Sequence, residues 1–411
     1  LNFELFIAKR IIGNKAYKSS VSAPIIKIGI AAIAIGIIVM LIAIATGFGL
    51  QQKIRDKVVA FNGHVMITNF DSNVSDESEV PISTKQSFYP KFTEVSGVTH
   101  IQGVATKFGI IRTENDFEGI VLKGVGTDYN WTYFKEFLID GRLPNFKGDL
   151  NNEVIISQYL ANRLHFKVND TFQTLFGKED INQIPFQRAF KIVGIYNSGF
   201  QELDEKFVIG DIRHIQRFNK WEDDQVGSFE VFIADFNQIE QKGIAIYEAI
   251  PSTLNATTVE QKYVSIFEWI KIFDNNTYGI IGIMILVAGI NMITALLVLI
   301  LERTQMIGIL KALGSNNWSI RKVFLYNATY LIGLGLLWGN IIGLGLLFAQ
   351  KYFKLVPLNP EVYYVTEAPV YINISYILML NLGTFVICLL MLLIPSVIIT
   401  KISPVKAIRF E

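Results

Sequence analysis

The stretch Asn69–Pro81, NFDSNVSDESEVP, brings Asp71, Asp76, Glu77 and Glu79 close together. Carboxylate oxygens are hard ligands, so calcium binding is the chemistry such a group could do. The spacing is not that of an EF-hand, and a solvated surface loop is the expectation. Four histidines, His64, His100, His165 and His214, stand far apart and in no HExxH spacing, so no metal site is expected. There is no Gly-x-Ser-x-Gly elbow to expose a nucleophile. Nor is there a Gly-x4-Gly-Lys-[Ser/Thr] loop: Gly177-Lys178 is followed by Glu179, which cannot supply the hydroxyl that ligates magnesium beside a bound nucleotide. The one cysteine, Cys388, excludes an intrachain disulfide, and its apolar surroundings suit a small buried hydrophobe. The expectation is a chain with no catalytic residues, no metal and no cofactor of its own.

The elements around these residues are of another kind. Of 411 residues, 51% are hydrophobic and only 18% charged, against about 25% in soluble domains. Four charge-free stretches, Ile28–Phe48, Tyr278–Leu301, Val323–Ala349 and Ile374–Ile399, meet the length of about 20 residues that a bilayer core demands of a helix. The first is too long for the apolar part of a cleavable signal, and no small-x-small site follows it, so it reads as an uncleaved anchor.

The net charge of +1 hides a separation. Residues 51–272 carry 23 basic and 30 acidic residues, a net of −7, leaving +8 for the remainder. Lys9, Arg10, Lys15, Lys18 and Lys27 precede the first span, Arg303, Lys311, Arg321 and Lys322 lie between the second and third, and Lys401, Lys406 and Arg409 follow the fourth. By the positive-inside bias these segments face the cytoplasm, and 51–272 and 350–373 face the other side. The basic residues therefore report topology, and no nucleic acid is expected. The layout is a cytoplasmic interfacial helix in 1–27 and a span in 28–50. An α+β extracytoplasmic domain follows in 51–272, then a span in 273–301, a cytoplasmic helix in 302–322 and a span in 323–349. A loop in 350–373, a span in 374–400 and a tail in 401–411 complete it.

Smaller features carry further expectations. Phe3, Phe6, Ile7 and Ile11 recur at helical spacing with Lys9 and Arg10 on other faces, as in a helix lying on a membrane surface. Gly335-x3-Gly339-x3-Gly343 makes a small-residue face that lets another helix come close, either within the chain or from a second subunit. Asn291 is a lone mid-span amide, expected to hydrogen-bond a neighbouring helix. The absence of charge in the spans argues against an ion pump or proton relay.

In the extracytoplasmic block, His64–Phe70, Ile101–Arg112, Phe117–Val125, Val154–Ser157, Phe190–Tyr196 and Phe229–Phe236 are rich in β-branched and aromatic residues and read as strands. Gln158–Leu164, Asp211–Phe218 and Gln238–Ala249 read as helices, giving an α+β class. Phe172–Arg188 carries Gly177, Pro185 and exposed-looking Phe176, Ile184 and Phe186. It is either a partner-binding loop or an ordinary hairpin whose apolar residues fold back on the sheet.

The second span runs into ERTQMIGILKALG, Glu302–Gly314. Met306, Leu310 and Leu313 fall at i, i+4, i+7 with Ile307 beside them, an amphipathic helix ended by Gly314. Such a helix could lie on the membrane or dock in a partner's groove. This stretch resembles the signature of the FtsX-like permeases of type VII ABC transporters, and the chain is similar to the lipoprotein-releasing permeases LolC and LolE. Gly47–Ile67, Asn152–Thr171, Val264–Phe273, Val362–Ile372 and Ile402–Glu411 carry the resemblance along nearly the whole length.

The resemblance implies a four-helix permease of a bacterial inner membrane, with a large periplasmic domain after the first span and both termini cytoplasmic. It implies that Glu302, Arg303, Met306, Ile307, Leu310, Lys311, Leu313 and Gly314 form a coupling helix seated on a separate, LolD-like ATPase that binds the ATP. It implies a second permease subunit, in a homo- or heterodimer, and a cavity for lipoprotein acyl chains lined by Met40, Ile44 and Phe48. It places a hook for a LolA-like carrier chaperone at Leu175, Phe176, Gly177, Ile184, Pro185 and Phe186. Membrane lipids are further partners, and mechanotransmission from ATPase to periplasm is the implied mechanism. The other functions within reach are a macrolide-exporter-like efflux permease and an FtsX-like regulator of cell-wall hydrolases.

Overall fold

A computed structural model of the chain describes residues 3–13, 23–72, 76–114, 116–178 and 184–403. Lys15 and Lys18 of the N-terminal segment, and Lys406, Arg409 and most of Ile402–Glu411, lie outside the described residues. The chain divides into two units. One comprises residues 1–51, 269–357 and 367–411, and the other residues 52–268 and 358–366.

The first unit is helical. Its described helices of seven or more residues are α1 (Phe3–Gly13), α2 (Ala23–Asn62), α3 (Val264–Glu302), α4 (Thr304–Ala312), α5 (Asn317–Phe353) and α6 (Ile374–Ser396), with the short α7 (Ile398–Lys401) after them. The parts of α2 and α3 beyond residues 51 and 269 belong to the other unit. Four of these segments are long and apolar enough to cross a membrane.

Two of the four are much longer than their apolar stretches. The helix α2 continues through Gly47 and Gly49 to Asn62, because Leu50–Ala60 (LQQKIRDKVVA) is mostly good helix former. It stops where Gly63, at φ +67°, takes the left-handed conformation that ends a helix and donates its N–H to Val59 O. The helix α3 likewise starts at Val264, not near Tyr278. Hydropathy marks the apolar length of a helix, not its ends, so the boundaries expected at 50/51 and 272/273 fall inside helices.

The glycine stripe of α5 packs against the chain's own first span. A Cβ on Gly335 would lie 2.7 Å from Ile33 Cβ, one on Gly339 2.7 Å from Ile37 Cβ, and one on Gly343 2.9 Å from Leu41 Cδ1. Both helices advance four residues per contact, so the ridge of α2 fills the groove left by the missing side chains. Of the two readings of this face, packing within the chain is the one observed, and the second-subunit alternative falls because the face is occupied. Asn340 and Asn381 exchange amide hydrogen bonds between α5 and α6, at 2.6 and 3.0 Å. Asn291 differs from expectation: its Nδ2 donates to Val287 O, one turn back in its own helix. The face of α1 bearing Ile7, Ala8 and Ile11 packs on Val323 and Met306, while Phe3 and Phe6 stay exposed.

The second unit is α+β, as the residue pattern predicts. Its strands are β1 (Val65–Asn69), β2 (Ile82–Ser83), β3 (Val98–Arg112), β4 (Phe117–Val125), β5 (Leu138–Gly141) and β6 (Glu153–Ser157), followed by β7 (Thr171–Phe176), β8 (Phe186–Tyr196), β9 (Phe207–Asp211), β10 (Gln225–Val226), β11 (Ser228–Ile233) and β12 (Leu254–Thr258). In chain order all of them fall between α2 and α3. The large sheet runs β12-β1-β11-β3-β4-β9-β6-β8-β5, with β7 bridging β3 and β8. The pairs β4–β9 and β6–β8 are parallel and the remaining pairs antiparallel.

Local chemistry sets the helices of this unit. Ser157 accepts the Leu160 N–H to start Gln158–Arg163, and Asp211 accepts the Arg213 N–H to start Ile212–Asn219. Thr258 and Gln261 form a reciprocal capping box. The loop expected as one piece in 350–373 is divided: 358–366 belongs to this unit. There Lys57 Nζ donates to Tyr364 O at 2.9 Å, and Tyr364 stacks on Phe200 with centroids 4.6 Å apart.

Candidate functional site

The helix α4 is set off at both ends. Arg303, at φ −98° and ψ 19°, breaks it from α3, and Thr304 Oγ1 donates to Leu301 O at 2.7 Å. At its far end Gly314 takes φ +91°, and Ser315 N–H returns to Leu310 O at 3.0 Å. Asn316 then caps α5 by accepting the Ser319 N–H at 2.7 Å.

Its two faces do different things. Ile307 is fully buried, and Met306 and Leu310 pack on the core formed by Leu299, Ile300, Ile320, Phe324 and Ile399. Lys311 reaches past this core. Its Nζ donates to Ile399 O at 2.7 Å, Ile402 O at 2.8 Å and Thr400 O at 3.3 Å. An ammonium there satisfies carbonyls that a helix C-terminus leaves open and meets the negative end of its dipole. Desolvation holds the Lys311 pKa below its ordinary value.

The opposite face carries Gln305, Ile309, Ala312 and Leu313, all exposed, with Leu313 at 78% and Ile309 at 47%. Glu302 and Gly314 are exposed as well. Of the eight residues expected to seat a partner, Met306, Ile307, Leu310 and Lys311 therefore face their own chain. An apolar stripe says that a face is buried, but not against what. Ile309 lies off that stripe and was the available signal for the outward face, whereas Leu313, counted in the stripe at i+7, is exposed.

The expected acyl-chain residues are also packed internally. Met40 is fully buried, Ile44 packs on the same core, and Phe48 stacks on Tyr376 at 4.8 Å. The exposed face of α2 carries instead Ile28, Ile35 and Val39. A helix apolar all round does not declare which side its neighbours take.

In the expected hook, β7 and β8 form a hairpin with Phe176 opposite Phe186. Phe176 is fully buried and stacks on Phe218 at 4.7 Å, and Phe186 stacks on the same ring at 5.4 Å. Leu175 is half-buried, whereas Gly177 and Pro185 are exposed and Ile184 is 85% exposed. The expectation of exposed phenylalanines is thus corrected, because folding back on the sheet buries rings that water would disfavour. Residues 179–183 lie outside the described residues.

The acidic loop is tied down by lysines. Asp76 lies 3.3 Å from Lys262 and 3.8 Å from Lys206, and Glu77 lies 3.0 Å from Lys107. No group of three potential metal ligands occurs among the described residues.

Sequence reasoning passed over a buried ion pair. Lys123 Nζ, in β4, donates to Glu230 Oε1 of β11 at 2.5 Å and to Phe61 O at 2.6 Å, at the C-terminus of α2. Glu230 Oε2 accepts from Gln102, whose own Oε1 accepts the Asn130 N–H. Burial pulls the Lys123 pKa down and Glu230 opposes it. The signal was a lysine inside the apolar run IVLKGV.

Comparison with known proteins bears on both units. The model of the MacB-like periplasmic core domain matches residues 28–242, more than half of the chain, and that of the FtsX-like permease C-terminal domain matches residues 278–404. The chain belongs to the FtsX-like permeases of type VII ABC transporters. Among its relatives in this family is the lipoprotein-releasing system transmembrane protein LolC of Buchnera aphidicola subsp. Schizaphis graminum, 22% identical over 99% of this chain and 98% of that one. The corresponding LolE protein of Haemophilus influenzae is 20% identical over 99% of both. The extracellular domain of the noncanonic ABC-type transporter YknZ from Gram-positive bacteria matches 47% of this chain and 99% of that one at 14% identity. The TM-score of that match is 0.31. The family is one of membrane permeases, in keeping with the four long apolar helices.

Proposed function

We propose that this permease extracts lipoproteins from a bacterial inner membrane and passes them to a periplasmic carrier, driven by a separate ATPase subunit. The observation that carries this reading furthest is the two-faced helix α4. Its outer face, Ile309 and Leu313 above all, has the shape of a helix-in-groove anchor for the ATPase. Its inner face and Lys311 tie that anchor to α3, α5 and the end of α6–α7. A push on α4 would therefore reach the spans together. In this reading the chain binds no ATP, and nucleotide chemistry belongs to the partner.

Lipoprotein as cargo rests on the full-length similarity to LolC and LolE proteins. Moving acyl chains into water costs about 0.8 kcal/mol per CH₂, so release needs both ATP and an apolar receiver. The α+β unit would stand in the periplasm, between the first and second spans, and both termini in the cytoplasm. A second permease subunit would meet the exposed face of α2 at Ile28, Ile35 and Val39. Gly177, Ile184 and Pro185, exposed beside the β7 and β8 ends, would touch a LolA-like carrier.

The match to a MacB-like core over residues 28–242 favours one second reading, an efflux permease with a detached ATPase. Mass spectrometry of what co-purifies separates the two. Bound lipoprotein and an ABC ATPase support release, whereas an outer-membrane channel without lipoprotein supports efflux and overturns the proposal.

A further inference from the structure

Between α5 and α6 lies a groove of about 400 Å³. Its walls are apolar: Leu325 stands on one side, and Leu389 and Leu393 on the other. Thr329 also lines it, but its hydroxyl is spent on Leu325 O, at 2.9 Å. The groove changes character at one end. There Lys322 and Tyr326 form the lining, and the Arg321 guanidinium is anchored beside them by donating to Ser396 Oγ at 3.0 Å and to Leu393 O at 3.3 Å. One carboxylate, Glu4, lies 3.7 Å from Lys322 and also accepts from Ser319 at 2.7 Å. Among the described residues at this end, Lys322 and Arg321 bring two cations and Glu4 one carboxylate, a net positive charge.

We propose that the groove holds an acyl chain of an anionic phospholipid, with the phosphate at Lys322. The apolar walls take the chain, and the cationic end selects a headgroup that carries net negative charge. A zwitterionic headgroup brings its own ammonium to the same place and gains less. The basic end adjoins the 302–322 segment, so the ligand is a lipid of the leaflet that this segment faces, the cytoplasmic one in the topology above. The inference rests on the reading that these helices span a membrane.

The test is native mass spectrometry of the full-length chain in detergent with equal amounts of phosphatidylglycerol and phosphatidylethanolamine. Wild type should retain phosphatidylglycerol about fivefold over phosphatidylethanolamine, the value of one juxtamembrane basic residue against an anionic lipid. Lys322→Gln should level the two, and Lys322→Arg should keep the preference. The Lys322 side chain is 42% exposed, so neither change disturbs the core. Leu389→Trp, which fills the groove, should lower phosphatidylglycerol retention while leaving bulk detergent binding unchanged. Equal retention by wild type, or a preference that survives Lys322→Gln, overturns the proposal. If instead the chain leaves the membrane in an alkaline wash without detergent, the membrane reading itself falls. A chain that stays in the membrane and shows no preference sinks the groove alone.

Discussion

Lys311 Nζ, on α4, donates to the carbonyl of Ile399 at 2.7 Å, and so joins the helix after the second span to the end of the fourth. Two more carbonyls, of Thr400 and Ile402, share the same ammonium. Lys311→Met keeps the stem and removes the charge. It should cost about 0.3–2 kcal/mol of stability, the range for a cation at a helix C-terminus. It should also lower transport per ATP hydrolysed while leaving the ATPase bound. Co-purification followed by coupled transport and ATPase assays checks this.

The outer face of α4 makes a contrasting prediction. Leu313→Asp and Ile309→Asp should weaken ATPase association at least tenfold, as expected for buried anchors of an interface, with no change in thermal stability of the permease. Leu310→Asp should do the reverse, because Leu310 packs on the chain's own core: it should lower the melting temperature before it affects assembly. Pull-down titrations alongside melting curves separate the two faces.

Gly339 is a sterically closed position. A Cβ there would meet Ile37 Cβ at 2.7 Å and the Ala34 carbonyl oxygen at 2.9 Å. Gly339→Val should destabilise the chain by roughly 1–3 kcal/mol, the usual cost of overpacking. Gly345, two residues beyond the stripe, has open space around its Cβ position, and Gly345→Ala should be silent. Thermal unfolding in detergent reads both.

Acid should loosen the α+β unit. Burial lowers the pKa of His64 and of His214 to about 4, so each stays neutral in the folded chain where an unfolded one would be charged. Their stabilising contribution is full above about pH 6.5 and is lost as pH falls towards 4. At pH 5 the loss is about 2 kcal/mol for each histidine. Asp204, pushed up to about 6 by burial, works in the opposite sense: its contribution is present at low pH and fades as pH rises through 6. Two histidines outweigh one aspartate, so the melting temperature should drop between pH 7 and pH 5. His64→Gln should shrink that drop, and an unchanged drop would contradict the assignment.

Much of this fold was legible from residue pattern alone. The strand β4 matches its apolar run Phe117–Val125 residue for residue, and the helices beginning at Gln158 and Ile212 follow their cap residues. Three longer strands escaped. Phe207–Asp211 is buried along its whole length and shows no alternation, Leu254–Thr258 is half polar, and Thr171–Phe176 was absorbed into a supposed loop. The site was less legible for one physical reason. Hydrophobicity records that a face avoids water, but not whether lipid, another subunit or the same chain covers it. For that reason pattern alone offers Met40, Phe176 and Ile307 to partners, and all three are core. Lys311 was visible only as a charge, since the carbonyls it holds lie about 90 residues on.

ATP-driven release of lipoprotein can be followed by reconstitution. Permease and ATPase would be placed in proteoliposomes with an acylated lipoprotein, and transfer to a soluble carrier chaperone followed with and without ATP. Transfer should require ATP and should be lost in Leu313→Asp. An active ATPase that releases no lipoprotein to the carrier would rule out lipoprotein release as the function.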